Sequence, residues 1–154
     1  MKRVLLAAAA LIIFCITGCA SGPKISFSDV SGKEWKLTDV MLNGKSINFD
    51  RSVLISEGFG EIFTLNFDAE RLSGIGAPNR YFAPYTLGNI KDRAISVQLV
   101  AGTLMAPLRQ PEKLKENDYF KYIQNTYKWN LAGEKLELSS KSETGDEITL
   151  VFAL

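Results

Sequence analysis

The chain has 154 residues and nearly balanced charge, with 18 Lys plus Arg against 17 Asp plus Glu, two Cys and no His. This balance gives no basic footprint of the kind that binds nucleic acid. The absence of His excludes catalytic triads and metal sites built on imidazole.

The first 18 residues have the pattern of a secretion signal. A basic pair, Lys2-Arg3, precedes an apolar run from Val4 to Thr17. A helix that spans a bilayer needs about 20 apolar residues, and Gly18 and Pro23 follow this run too soon for it to reach across. We therefore predict a signal peptide at residues 1–18 that is removed after export.

The apolar run ends in Ile16-Thr17-Gly18-Cys19, which resembles the lipobox of bacterial lipoproteins. In that motif the Cys becomes the acylated N-terminus after cleavage. The resemblance implies lipid attachment at Cys19, with residues 19–29 forming the lipidated N-terminus and a tether. The alternative is an ordinary signal peptide that is cut nearby, with Cys19 incidental.

Lipidation would make a membrane the first partner of the protein, through an acyl or diacylglyceryl group on Cys19. Two or more acyl chains attach a domain stably, whereas one chain binds weakly and reversibly. Ala20 follows Cys19, while Asp at that position favours retention in the inner membrane of enterobacteria. We therefore expect a lipid-anchored protein of the cell envelope, sorted to the outer membrane.

Residues 30–154 are predicted to form a single domain. No Cys follows Cys19, so this domain has no disulfide even though an exported compartment would permit one. Its stability has to come from packing, and its length is sufficient for a core.

Alternation of apolar and polar residues dominates this domain and indicates half-buried β-strands. Asn43-Gly44 is a strong hairpin-turn signal. The predicted strands include Trp35 and Leu37, Val53 to Ile55, Phe63 to Phe67, Ile95 to Leu99, Tyr127 to Leu131, Lys135 to Ser139 and Ile148 to Phe152.

One segment breaks the alternation, from Pro111 to about Gln124. Leu114, Phe120 and Ile123 recur there near helical spacing, and Pro111 suits the first position of a helix. We predict one α-helix at about 111–124, packed on the open side of a small antiparallel barrel or strongly curved sheet.

Three motifs follow one another along the domain. Gly32-Lys33-Glu34-Trp35-Lys36-Leu37 resembles the opening Trp-x-Leu strand of META/HslJ-like domains, and the other two resemble motifs of that family in the same order. The stretch Arg71 to Tyr81, with Gly74, Gly76 and Pro78-Asn79, resembles the Gly-rich stretch that ends in Cys-Asn and an aromatic. Thr103-Leu104-Met105-Ala106-Pro107 resembles Thr-x-Met-Ala-Cys.

The resemblance implies a mainly β, lipocalin-like or cracked β-barrel and a link to the envelope or to stress resistance, without a known reaction. Pro78 and Pro107 stand where the family commonly places two Cys that can pair. The sequence therefore resembles a bridge-free variant, and no redox role of those cysteines carries over.

Nothing in the sequence supports an enzyme, a cofactor or a metal site, because no nucleophile or carboxylate pair has suitable spacing. The carboxylates are expected on the solvated surface; they are Asp68, Glu70, Asp92, Glu116 and Asp118. Gly74-Ile75-Gly76 is interpreted as a bend or bulge that brings backbones close.

Five side chains are candidate ligand or partner contacts: Asn79, Tyr81, Tyr119, Phe120 and Trp129. Asn79 suits a turn or a side-chain bond to nearby amides, and a ligand contact is its alternative. Core packing is the commoner fate of the aromatics, but a cavity lining is open to Tyr81 and Trp129. The apolar excess around Tyr119-Phe120 is a candidate partner surface.

Two hypotheses follow. In the first, the domain is a non-catalytic envelope interaction module that binds another envelope protein. In the second, it is a lipocalin-like carrier of an acyl chain or another small apolar ligand. A solid core with an exposed apolar patch on residues 119–127 would favour the first, and a large dry cavity would favour the second.

Overall fold

Antiparallel strands form the framework of the domain in the computed structural model, which describes residues 25–154. The strands are β1 Trp35–Leu42, β2 Lys45–Ser46, β3 Thr64–Phe67, β4 Arg71–Ile75, β5 Arg80–Leu87, β6 Ile95–Val97, β7 Ala101–Gly102, β8 Lys128–Ala132, β9 Lys135–Lys141 and β10 Glu147–Ala153. The helices are a 3₁₀ turn at Phe27–Asp29, α1 at Arg51–Ser56 and α2 at Glu116–Gln124. The predicted signal peptide and Cys19 lie outside the described residues.

The strands form one sheet that curls almost into a closed barrel. Its order is β6-β5-β4-β3-β1-β10-β9-β8, with β2 beside β1 and β7 beside β5. The first and last strands of this order meet at an antiparallel bridge between Ala94 and Lys128, where the Ile95 amide donates to the Tyr127 carbonyl at 3.1 Å. The predicted mainly β, cracked-barrel fold is confirmed.

The barrel has two ends, which differ in what covers them. At one end, called the tether end because the described chain begins there, the Phe27 ring packs against Phe67, Tyr85 and Trp129, with ring centroids 5.1–5.6 Å apart. At the opposite end, called the helix end, α2 lies across the loops that join β4 to β5 and β9 to β10. The polypeptide therefore enters at one end of the barrel and its main helix closes the other.

Alternating side chains fill the barrel, as the sequence pattern predicts. Phe63, Leu65 and Phe67 are fully buried, as are Leu136 and Leu138. Other fully buried large side chains are Trp35, Leu37, Leu72, Tyr81, Tyr119, Ile123 and Phe152. The interior is thus occupied by the protein's own side chains.

The Asn43-Gly44 turn is confirmed, since both residues have positive φ (48° and 78°), as a tight hairpin requires. Gly74 occupies the predicted close backbone approach, whereas Gly76 lies against side chains of α2. A Cβ on Gly74 would lie 2.0 Å from the Thr64 carbonyl oxygen, and a Cβ on Gly76 would lie 2.7 Å from the Phe120 ring.

The strand predicted at Val53 to Ile55 is wrong. These residues lie in α1, which begins after Asp50, whose carboxylate accepts from the Ser52 amide at 2.8 Å. Val53 and Ile55 are 49% and 60% exposed. The local cap outweighs the β-propensity of this short apolar run.

The main helix is shorter than predicted, because α2 begins at Glu116 rather than near Pro111. Lys115 is extended, with ψ of 151°, and its ammonium donates to the Pro111 carbonyl at 2.9 Å. Leu114 lies in this non-helical segment before α2, and its side chain is buried. Its burial explains why it fits the apolar spacing although it is not helical. The strand predicted to reach Leu99 ends at Val97.

No helix within residues 25–154 is long and apolar enough to cross a membrane.

Candidate functional site

A buried carboxylate organises the helix end. Glu116, the first residue of α2, is 5% exposed. Its Oε1 accepts from the backbone amides of Ala77 and Asn79 at 2.5 and 2.6 Å, and its Oε2 accepts from Asn79 Nδ2 at 2.7 Å. Hydrogen bonds of this kind satisfy a buried carboxylate without a cation. The expectation that Glu116 lies on the surface is therefore wrong.

Asn79 extends this network to the segment after β7. Its Oδ1 accepts from Thr103 Oγ1 at 2.8 Å and from the Met105 amide at 2.7 Å. Its Nδ2 donates to the Met105 carbonyl at 3.0 Å as well as to Glu116. One amide side chain thus fixes the loop after β4, the segment after β7 and the start of α2 relative to one another, as the structural interpretation of Asn79 predicts.

The segment that Asn79 holds carries exposed apolar side chains. Residues 104–108, here called the leucine loop, include Leu104 and Leu108, which are fully exposed, and Met105, which is 54% exposed. The Thr103 hydroxyl and both backbone groups of Met105 are bonded to the Asn79 side chain. The leucines are therefore presented to solvent from a segment that the buried network holds in place.

An apolar groove of about 360 Å³ lies beside the leucine loop. We call it the proline groove, and its walls are Phe59, Ile62, Ala77, Pro78 and Pro107. The Arg109 guanidinium stacks over the Phe59 ring at its rim, 4.8 Å from the centroid. The two positions where the resemblance places paired cysteines thus face the same groove, where prolines stand in this chain.

Two buried tyrosines join α2 to the barrel. The hydroxyls of Tyr81 and Tyr119 lie 2.9 Å apart and contact the Thr64 carbonyl oxygen at 2.8 and 3.1 Å. Burial raises the pKa of both phenols well above the ordinary value for tyrosine. Both are therefore neutral at physiological pH, and they hold α2 on β3 and β5 as hydrogen-bonding groups.

The five candidate contact residues fall in two places. Asn79, Tyr81, Tyr119 and Phe120 lie together at the helix end, whereas Trp129 lies at the tether end beside Phe27. Four of them are at most 5% exposed, and Phe120 is partly buried. The polar side chains of Asn79, Tyr81 and Tyr119 bond within the protein, and the service of the five residues as ligand or partner contacts remains a prediction.

The exposed apolar surface lies elsewhere than expected. Within residues 119–127, only Tyr127 is a largely exposed apolar side chain, at 42%, because Tyr119 and Ile123 point into the barrel. Sequence reasoning missed Glu116 and the leucine loop as parts of the site. The signal for the loop was present: Leu104 to Leu108 is apolar but fits neither strand nor helix spacing.

The chemistry of the described region gives no sign of a metal centre, because no cluster of three or more His, Cys, Asp or Glu within residues 25–154 is arranged to hold an ion. What the arrangement offers is an apolar surface on a rigid support. Such a surface suits binding through shape and apolar contact.

Comparison with known proteins identifies the family. The family model for the META domain matches residues 28–152. The comparison with curated proteins returned no match.

Two solved structures resemble the fold. A DUF4847 family protein from Bacteroides vulgatus is 15% identical with a TM-score of 0.56, over 82% of this chain and 95% of that one. A protein from Burkholderia xenovorans, solved by NMR, is 19% identical with a TM-score of 0.54, over 99% of this chain and 97% of that one. At these identities the likeness concerns the fold alone. Because the family model spans nearly the whole described domain, the chain belongs to the META domain family.

Proposed function

We propose that this protein is a membrane-anchored envelope lipoprotein whose META domain serves as a non-catalytic interaction module. Lipid on Cys19 would attach it, and the outer membrane is the expected site. The observation that supports this proposal best is the fully exposed pair Leu104 and Leu108 beside the proline groove. A role in stress resistance belongs to the same proposal through the family resemblance.

Exposed apolar side chains of this kind indicate a binding surface. Soluble domains seldom expose a contiguous apolar patch without a partner for it. The leucine loop and the proline groove lie side by side, and residues 105–108 belong to both. Because Asn79 holds the backbone of the loop, a partner would bind a surface that is already ordered, which lowers the entropic cost of association.

The position of this surface suits a protein partner. It lies at the helix end, whereas the chain enters the barrel at the tether end. A lipid-anchored domain would therefore hold the leucine loop away from its attachment point. The partner expected is an envelope protein with an apolar segment that fits between the leucines and the groove.

Site-specific crosslinking in cells tests this proposal. A photoreactive residue at Leu108 should form a discrete adduct with one envelope protein, and Leu104→Asp in the same chain should abolish it. The matched control is Leu99, which is 76% exposed but lies outside the groove. Equal adducts from positions 108 and 99, or an adduct that persists with Leu104→Asp, would contradict the proposal.

The second candidate is a carrier of an acyl chain or another small apolar ligand. The observation in its favour is an apolar groove of about 450 Å³ at the tether end, between Phe27 and Trp129. The filled barrel interior argues against a deep lipocalin-like cavity. Native mass spectrometry of the domain recovered from its own envelope decides between them: a bound mass of lipid size supports the carrier, and a clean protein mass supports the interaction module.

A further inference from the structure

An apolar face lies around the point where the described chain begins. The groove at the tether end is lined by Ile25, Phe27, Leu87, Ile90 and Trp129, and we call it the tether groove. Ile90 is 82% exposed and Leu87 is 45% exposed. Two large aliphatic side chains thus stand in solvent on the rim of this groove.

The loop that carries Ile90 is ordered by its own hydrogen bonds. The Asn89 side chain accepts from the Lys91 amide at 2.9 Å, and the Asn89 carbonyl accepts from the Ala94 amide at 3.3 Å. The Arg93 guanidinium lies over the Trp129 ring, 5.7 Å from its centroid. Ile90 is therefore held outward at the tip of a structured turn.

The tether limits where this face can be in a lipid-anchored protein. Ile25 lines the groove and lies six residues after Cys19. At 3.3–3.6 Å per residue, the connecting chain spans at most about 22 Å. The tether groove then cannot move farther than about that distance from the bilayer surface.

The leucine loop is kept at a distance by the barrel itself. Strand β5 runs from Arg80 at the helix end to Leu87 at the tether end. Seven steps of about 3.3 Å separate the two ends by roughly 23 Å. One apolar surface therefore lies near the anchor and the other lies across the barrel from it.

We infer that the tether groove faces the membrane and that Ile90 and Leu87 insert into the boundary between headgroups and acyl chains. This inference rests on the proposed lipid anchor at Cys19. Lys91 and Asp92 follow Ile90 and offset each other in charge, and the Arg93 guanidinium is held on the Trp129 ring and by the Asn130 side chain. Apolar contact rather than anionic headgroups would therefore provide the attraction. The domain would then stand on the bilayer with the proline groove and the leucine loop turned outward.

Fluorescence quenching in vesicles tests this orientation. The mature chain has no Cys besides Cys19, whose thiol is consumed by acylation, so one introduced Cys can be labelled selectively. The acylated full mature chain carrying Ile90→Cys with an NBD label is reconstituted in phosphatidylethanolamine and phosphatidylglycerol vesicles that contain doxyl-labelled phospholipid. The matched control is Leu108→Cys, fully exposed at the helix end.

The inference predicts a blue shift and loss of most of the NBD emission at position 90, with little change at position 108, and the same result in high salt. Equal quenching at both positions would overturn the membrane-facing orientation while leaving the anchor intact. A blue shift at position 90 without quenching would also overturn it, since it would place the protein's own acyl chain in the groove. Failure of both labelled chains to float with vesicles would refute the anchor itself, and with it this inference.

Discussion

Truncation of Glu116 tests whether one buried carboxylate organises the helix end. Its oxygens accept three hydrogen bonds, two from backbone amides and one from Asn79. Hydrogen bonds to a charged group contribute about 1.5–3 kcal/mol each, so Glu116→Ala removes roughly 4.5–9 kcal/mol of interaction. The substitution also relieves the cost of burying a carboxylate, which is several kcal/mol. The expected net loss in the free energy of unfolding is about 3 kcal/mol.

Denaturant unfolding of the domain measures this loss. Glu116→Gln keeps the shape of the side chain and one acceptor oxygen for the two backbone amides, but its NH2 group cannot accept from Asn79 Nδ2. We therefore expect about half of the loss in the free energy of unfolding, roughly 1.5 kcal/mol. The control is Glu112→Ala, at an exposed residue four positions before Glu116 in the same approach segment, which should change the stability by less than about 0.5 kcal/mol. A cost below about 1 kcal/mol for Glu116→Ala would refute the reasoning.

Two further perturbations probe the interior. The stabilising contribution of the phenols of Tyr81 and Tyr119 is complete below the unfolded-state pKa of about 10. Because burial raises the pKa of both in the folded state, stability should fall as the pH rises above that value. The double variant Tyr81→Phe, Tyr119→Phe should flatten this fall in stability, measured by denaturant unfolding at a series of pH values. It should also lower the free energy of unfolding by more than the sum of the two single variants, because only the double variant leaves the Thr64 carbonyl without either hydroxyl. Additive losses would contradict this expectation. Gly74→Ala should lower the free energy of unfolding by about 3 kcal/mol through overpacking, because its Cβ would lie 2.0 Å from the Thr64 carbonyl oxygen. The control is Gly60→Ala, whose Cβ would meet only Ile55 at 3.6 Å, and it should leave the melting temperature nearly unchanged.

Much of the fold follows from local sequence signals. Period-two alternation correctly predicted the strands that carry Leu65 and Phe67 and Ile148 to Phe152, because the alternate side chains of each lie in the core. Phe63 is buried as predicted but precedes β3, with a positive φ of 53°. The Asn43-Gly44 turn followed from the positive φ that its hairpin needs. These signals act over a few residues, which is why they can be read without knowing the tertiary structure.

The errors arise where the apolar spacing does not reveal the backbone conformation. Val53-Leu54-Ile55 is an apolar run with two β-branched residues, but the Asp50 cap and the exposure of the segment make it helical. Leu114 fits helical spacing, but it lies before the start of α2 and is buried there without being helical. Periodicity reports which side chains are buried, and it does not report which backbone conformation buries them.

The candidate site was only partly predictable because its residues come together from distant parts of the sequence. Asn79 stood out because of its place after Gly and Pro. Its partners Thr103 and Glu116 are 24 and 37 residues away in sequence, and no local pattern links them. A Glu at a helix N-terminus ordinarily faces solvent, and here a loop from the sheet encloses it.

Acyl labelling of Cys19 variants in cells tests the central claim most directly. The wild-type chain should incorporate a palmitate analogue and fractionate with the membranes. Cys19→Ala should lose both the label and the membrane fraction, whereas Cys15→Ala, within the predicted signal, should retain them. Labelling or unchanged membrane partitioning of the Cys19→Ala protein would contradict the account.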